Sequence, residues 1–277
     1  MATRLLVLLG VVTSPLNAAD PVPEAEAAYK MRDYATARKL ASEALAQEPK
    51  NPEALYLLGQ SCLRLRDNVA AEKAFSQLIE LRPELWYAYD GRGDALLKQG
   101  KFDAAVRDYD KALELNPKFA PEHWRRGIAL YYAKKYADGA KQFETHKLAN
   151  PQDVENAAWH YLCNARVVGR DKARGELIDV TQDRRVPMAE IQKLFAGSLQ
   201  PADVLAAAEK IPAKSEQGKE ARFYAHLYVG LWYEAEEKPV EARKHLTTAV
   251  KDYKISHYMW DVGNAHLGWL DENSKQK

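Results

Sequence analysis

Residues 86–117 read WYAYDGRGDALLKQGKFDAAVRDYDKALELNP. Gly93 and Ala105 are small residues placed where two helices would have to approach closely. Leu96, Tyr109 and Ala112 accompany them at helical spacings. Glycine in a helix interior costs about 1 kcal/mol against alanine, so its use here points to a steric demand. Pro117 prevents the second helix from continuing. The stretch therefore reads as two antiparallel helices closed by a proline. The same pattern stands on both sides of it. Leu55, Leu58, Gly59 and Cys62 are followed by Ala71, Phe75 and Pro83; His123, Gly127 and Leu130 by Gly139, Phe143 and Pro151. A degenerate first unit keeps Tyr34, Ala37, Ala44 and Pro49. Pro49, Pro83, Pro117 and Pro151 are spaced by 34 residues at every step. A fixed period of this length predicts helical hairpins stacked in one direction, each burying a face on the next.

The period and its Gly/Ala/aromatic/Pro order resemble the tetratricopeptide repeat. The resemblance implies an all-α fold, a tetratricopeptide-repeat helical solenoid in which antiparallel helix pairs form a right-handed superhelix. Residues 20–151 would hold four repeat units. Residues 152–218 would hold a degenerate repeat and irregular helices, over Val154–Val168, Asp171–Val180, Met188–Ala196 and Ala202–Lys210, with loops at Thr181–Pro187 and Ile211–Gly218. The pattern returns in 219–254 with His226, Val229, Gly230 and Tyr233, then Ala242, Leu246 and Ala249. Residues 255–277 would be a capping helix, about Ser256–Leu270, and a tail covering the exposed end of the array.

Residues 126–132 (Arg-Gly-Ile-Ala-Leu-Tyr-Tyr), Asn150–Asp153, Trp159–Leu162, Phe195–Gly197 and Phe223–Ala249 also resemble envelope lipoproteins of the NlpI type. That resemblance implies an adaptor between envelope proteases and peptidoglycan hydrolases. The family is anchored through a lipidated cysteine, which this sequence lacks, so a soluble periplasmic or secreted relative is implied.

The first residues agree with export. Arg4 precedes the apolar run Leu5–Val12, Thr13-Ser14-Pro15 breaks it, and Ala18-Ala19 offer a cleavage point. Residues 1–19 thus read as a signal peptide cleaved near Ala18 or Ala19. The run is too short to span a bilayer, which takes roughly 20 apolar residues, and no stable membrane insertion is expected. Lysine and arginine total 40 against 39 acidic residues, a net charge of +1, so nothing suggests a nucleic-acid partner. Cys62 and Cys163 fall about three repeat units apart. At roughly 8–10 Å between packed helices they are too distant for a disulfide, and both read as buried free thiols.

First helices of such repeats line the concave side of the array. Helical periodicity places Tyr29, Lys30, Tyr56, Gln60, Arg64, Tyr87, Asp90, Asp94 and Lys98 there, then Trp124, Arg125, Ile128, Tyr131, Tyr132, Trp159, Leu162 and Arg166. Aromatics and arginine dominate binding hot spots, so Tyr56, Arg64, Tyr87, Asp90, Asp94, Trp124, Arg125, Ile128, Tyr131 and Trp159 are the candidate partner-binding residues. Trp159 and Tyr132 fit the core equally well. Asp90 and Asp94, one turn apart, read as a solvated acidic strip near Arg125, or as a receptor for a basic group of a ligand. His160 and Cys163 share a helix face, but no second ligand pair accompanies them, and no nucleophile or phosphate-loop motif is present. No enzyme, cofactor or metal is expected. The function expected is a protein–protein adaptor or scaffold that takes protein or peptide partners, among them an envelope protease or peptidoglycan hydrolase. Two alternatives stand beside it. One is a self-associating protein, a homodimer through Phe223–Trp232. The other is an accessory module of an envelope enzyme in residues 170–220.

Overall fold

The computed structural model describes residues 20–275; the expected signal segment lies outside them. Those residues form helices and connections, with no strand among them. Four hairpins come first: α1 (Val22–Lys30) with α2 (Tyr34–Gln47), α3 (Pro52–Arg64) with α4 (Asn68–Leu81), α5 (Trp86–Lys98) with α6 (Phe102–Leu115), and α7 (Trp124–Tyr132) with α8 (Tyr136–His146). Three of these helices, α2, α3 and α4, start at a side-chain cap. Asp33 and Asp67, 34 residues apart, accept the backbone N–H of Thr36 at 3.1 Å and of Ala70 at 3.2 Å, and Asn51 accepts that of Ala54 at 2.9 Å. These side chains satisfy donors that a helix start leaves free.

The glycines at the repeated position do what their spacing implied. A Cβ on Gly59 would lie 2.7 Å from Phe75, on Gly93 2.7 Å from Tyr109, and on Gly127 2.6 Å from Phe143. The aromatic of the second helix thus rests directly on the backbone of the first. Ala71 and Ala105 are wholly buried at the same crossings.

The turn inside each hairpin carries one left-handed residue, again on the 34-residue period: Arg32, Arg66, Gly100 and Lys134, with φ between 59° and 77°. Only the third is glycine, and a side chain held there costs about 1 kcal/mol or more. Arg32 is exposed. Arg32→Gly is therefore expected to raise stability, by at most about 1 kcal/mol because the freer unfolded chain offsets part of the relief. Urea unfolding checks this; a loss of stability would contradict it.

Beyond the fourth hairpin, α9 (Val154–Val168) continues the stack, followed by α10 (Arg170–Gly175), α11 (Met188–Phe195) and α12 (Pro201–Glu209). The helix expected over Asp171–Val180 stops at Gly175. Ile178 and Val180 are buried on either side of exposed Asp179, the alternation of an extended segment. A long hairpin, α13 (Glu216–Ala235) with α14 (Pro239–Asp252), precedes α15 (Tyr258–Lys275). The largest departure from expectation is α15. It packs on α14, the last helix before it, and also turns back onto α5.

Cys62 and Cys163 are free and buried. Burial pushes the Cys62 thiol up to about 11 and the Cys163 thiol further, so both are poor nucleophiles.

Burial also sets a pH dependence. His123 is held down to about 2 by burial and by nearby Arg125, and His266 to about 3 by burial and Arg166. Unfolded, both would titrate near 6.5. Below that pH the unfolded chain binds two more protons at these sites. Glu155 acts oppositely: burial, opposed by Arg185 and aided by Asp153, raises it to about 7 from 4.5. The folded state therefore holds one extra proton there between those values. His226, which burial and His245 hold down to about 4, adds a third imidazole in the same direction, so the unfolded state binds more protons and stability should fall on acidification near pH 5.5. Urea titrations at pH 7.5 and pH 5.5 test the sign; greater stability at the lower pH would refute it.

Candidate protein-binding surface

The first helices of successive hairpins place equivalent residues side by side on the inner face. Tyr56, Asp90 and Trp124 form one such row, at 34-residue intervals. The face divides into an open part and a closed part.

The open part belongs to α1, α3 and α5. Tyr56 packs edge-on to Tyr87 with centroids 5.0 Å apart, and Tyr87 meets Trp86, which touches Phe119. Tyr29 donates to Gln60 at 3.3 Å, and Arg64 donates to the Tyr29 hydroxyl at 3.4 Å while reaching over the Tyr34 ring. Tyr29, Tyr56, Gln60 and Tyr87 are half-buried and Arg64 is exposed. Three expected residues, Tyr56, Arg64 and Tyr87, thus share one accessible aromatic stripe carrying a cation.

The closed part belongs to α5, α7 and α9, and α15 closes it. Tyr258 donates to Asp94 at 2.6 Å, stacks edge-on against Trp124 at 4.9 Å, and lies under the Lys98 ammonium at 4.6 Å. Arg66 pairs with Asp261 at 2.7 Å and caps the Trp260 ring. Trp269 donates its indole N–H to the Tyr132 carbonyl at 3.2 Å, and His266 contacts the Tyr132 hydroxyl.

This arrangement corrects several expectations. Ile128 is 1%, Tyr131 0% and Trp159 2% exposed; they are wall and core, not open groove. Tyr131 donates to Glu234 at 2.5 Å, and Glu234 also holds Arg166. That triad, with Arg166 partly exposed, joins α7, α9 and α13. Asp90 and Asp94 are not a solvated strip. Arg125 donates to both oxygens of Asp90 at 2.8 and 2.6 Å and stands 4.0 Å from Asp94. Burial raises the Asp90 carboxyl. For Asp94 burial pushes the same way, but Lys98, Arg125 and the Tyr258 hydroxyl outweigh it and hold its carboxyl low. The basic group these carboxylates were suited to receive is supplied by the chain itself. The face Phe223–Trp232 is likewise occupied. Phe223, Leu227, Tyr228 and Leu231 are wholly buried and so not offered to a second copy, while His226 and Trp232 are half-buried.

Between the closing segment and the fourth and fifth units lies a cavity of about 310 Å³. Trp124, Ile128, Phe143, Trp159 and Met259 give it apolar walls. Glu122, Asp153, Glu155 and Arg185 give it charged ones. The sequence reading named Trp124, Ile128 and Trp159 but not Glu155, Arg185 or Met259. Arg185 and Met259 reach the cavity only through the later chain, whereas Glu155 stands on α9, two repeat lengths after Tyr87, where the period could have marked it.

Tetratricopeptide-repeat family models match residues 22–85 and 93–132. No curated protein matches the chain. Among solved structures, a tetratricopeptide repeat protein from Parabacteroides merdae is similar over 91% of this chain and 97% of its own, at 17% identity and a TM-score of 0.57. MamA is similar over 56% of this chain and 87% of its own, at 18% identity and a TM-score of 0.51. At such identities the likeness concerns the fold alone. The helical hairpins on a 34-residue period, matched by family models in two successive segments, show that residues 22–132 carry tetratricopeptide repeats.

Proposed function

We propose that the protein is a binding adaptor that holds a segment of another protein on the open part of its inner face. The observation that carries this reading is the accessible stripe of Tyr29, Tyr56 and Tyr87 with Arg64 and Gln60, on the side where α15 leaves the array uncovered. Tyrosine and arginine on rigid helices offer contact area and hydrogen bonds at little entropic cost. The apolar run Leu5–Val12 followed by Ala18-Ala19 supports export, which would place the adaptor in the periplasm or outside the cell. There an envelope protease or a peptidoglycan hydrolase is a fitting partner. N-terminal sequencing of protein from its native host should find a start near Ala19 or Asp20; intact Met1 would oppose export.

Affinity capture from the native envelope tests the binding role. Tyr56→Ala with Tyr87→Ala should weaken capture about thirtyfold or more, as loss of a hot-spot aromatic does, with the helical signal retained. Lys111→Ala with Glu114→Ala, which removes an exposed pair on α6, should leave capture unchanged. Undiminished capture by the tyrosine variant would move the binding surface elsewhere.

A further inference from the structure

We propose that the 310 Å³ cavity receives the basic side chain, lysine or arginine, of a bound protein segment. This rests on the adaptor reading and names the side chain that a partner would present. The volume lies at the small end of the roughly 300–1,000 Å³ found for ligand sites. The walls suit the methylenes of such a side chain, with Trp124 and Trp159 offering faces that attract cations.

The charge on its lining is unbalanced. Three carboxylates, Glu122, Asp153 and Glu155, face one guanidinium, Arg185. Arg185 is already committed, pairing with Asp153 at 3.0 Å, Glu155 at 2.6 Å and Asp183 at 2.6 Å. Of the two imidazoles in the lining, His257 is disfavoured as a cation by burial and by Arg185, and His146 is engaged through Nδ1 with the Pro121 carbonyl at 2.6 Å. A second observation comes from Asn156 in the same lining. It is 3% exposed, and its Nδ2 donates to the Phe143 carbonyl at 3.1 Å, yet its Oδ1 has no partner. A buried acceptor without a donor is costly, and an ammonium or guanidinium brings donors only. The raised carboxyl of Glu155 fits the same picture, because burial beside Asp153 leaves it short of positive charge. An acidic or phosphorylated segment would meet repulsion here.

The test uses the full chain and two small probes, Nα-acetyl-lysine amide and its norleucine counterpart, which keeps the methylenes and lacks the ammonium. Binding is followed by NMR at the indole N–H signals of Trp124 and Trp159. The lysine probe should shift both signals and bind at least tenfold more tightly than norleucine. Glu155→Gln should weaken lysine binding about fivefold or more. Glu122→Gln, at an exposed rim position that cannot endanger folding, should weaken it in the same direction. Equal binding of the two probes, or no movement of the two indoles up to the solubility limit of the lysine probe, would overturn the proposal. Loss of this selectivity while capture through Tyr56 and Tyr87 persists would sink this inference and spare the adaptor reading.

Discussion

Removing residues 255–277 is expected to abolish cooperative melting at temperatures where the intact chain is folded. Ile255, Met259, Val262, Ala265 and Trp269 are all buried against the rest of the molecule. Tyr131 and Tyr132 each lie within 5.8 Å of the Trp269 ring and would lose that cover. Truncating a buried tryptophan to alanine costs about 3–5 kcal/mol, and a buried methionine about 2–5. These two losses alone, roughly 5–10 kcal/mol, are comparable to the roughly 5–15 kcal/mol that typically separates folded from unfolded domains. The truncated chain should bind a hydrophobic dye and lose its sharp thermal transition. Trp269→Ala alone should cost about 3–5 kcal/mol in urea. If the truncated chain melts like the parent, α15 is a dispensable appendage and the closed half of the inner face is not closed.

Arg125→Ala should cost about 3–5 kcal/mol, because it strands the Asp90 carboxylate in the interior and leaves Asp94 to Lys98 and Tyr258. Asp90 and Asp94 have 15% and 7% of their side-chain surface exposed, and Arg125 faces both. Arg125→Lys should recover only part of the loss, since a single ammonium cannot face Asp90 and Asp94 with separate nitrogens as Nη2 and Nη1 do. Adding Asp90→Asn to Arg125→Ala should also restore part of it, a coupling that residues in contact show and distant ones do not. A loss below about 1 kcal/mol for Arg125→Ala would mean that the network is solvated. The same network makes Arg125 unsuitable for probing partner binding, since its loss would confuse unfolding with lost recognition.

The repeat architecture was legible because its determinants are local. Gly59, Gly93 and Gly127 meet Phe75, Tyr109 and Phe143 only 16 residues away, and each proline closes its own unit. Helical periodicity also placed Tyr56, Asp90 and Trp124 on the inner side. What it could not show was the return of α15, whose contacts span the chain: Tyr258 reaches Asp94 across 164 residues and Arg66 reaches Asp261 across 195. An aromatic on an inner helix looks the same in sequence whether it faces water or another helix of its own chain. Tyr131 and Trp159 were therefore placed in the groove by a rule that knows only the repeat. Residues Ile178-Asp179-Val180 did carry a readable signal, an alternation with period two, which a helical reading of Asp171–Val180 overrode.

The central claim is that the inner face binds a protein segment at its open end while α15 stays seated at the other. Hydrogen–deuterium exchange of the full chain, with and without a captured partner segment, tests it directly. The account predicts slower exchange in α1, α3 and α5 around Tyr29, Tyr56 and Tyr87, with exchange in α15 no faster than in the free chain. Faster exchange in α15 together with protection of α7 would show that the partner takes the place of α15, and would contradict it.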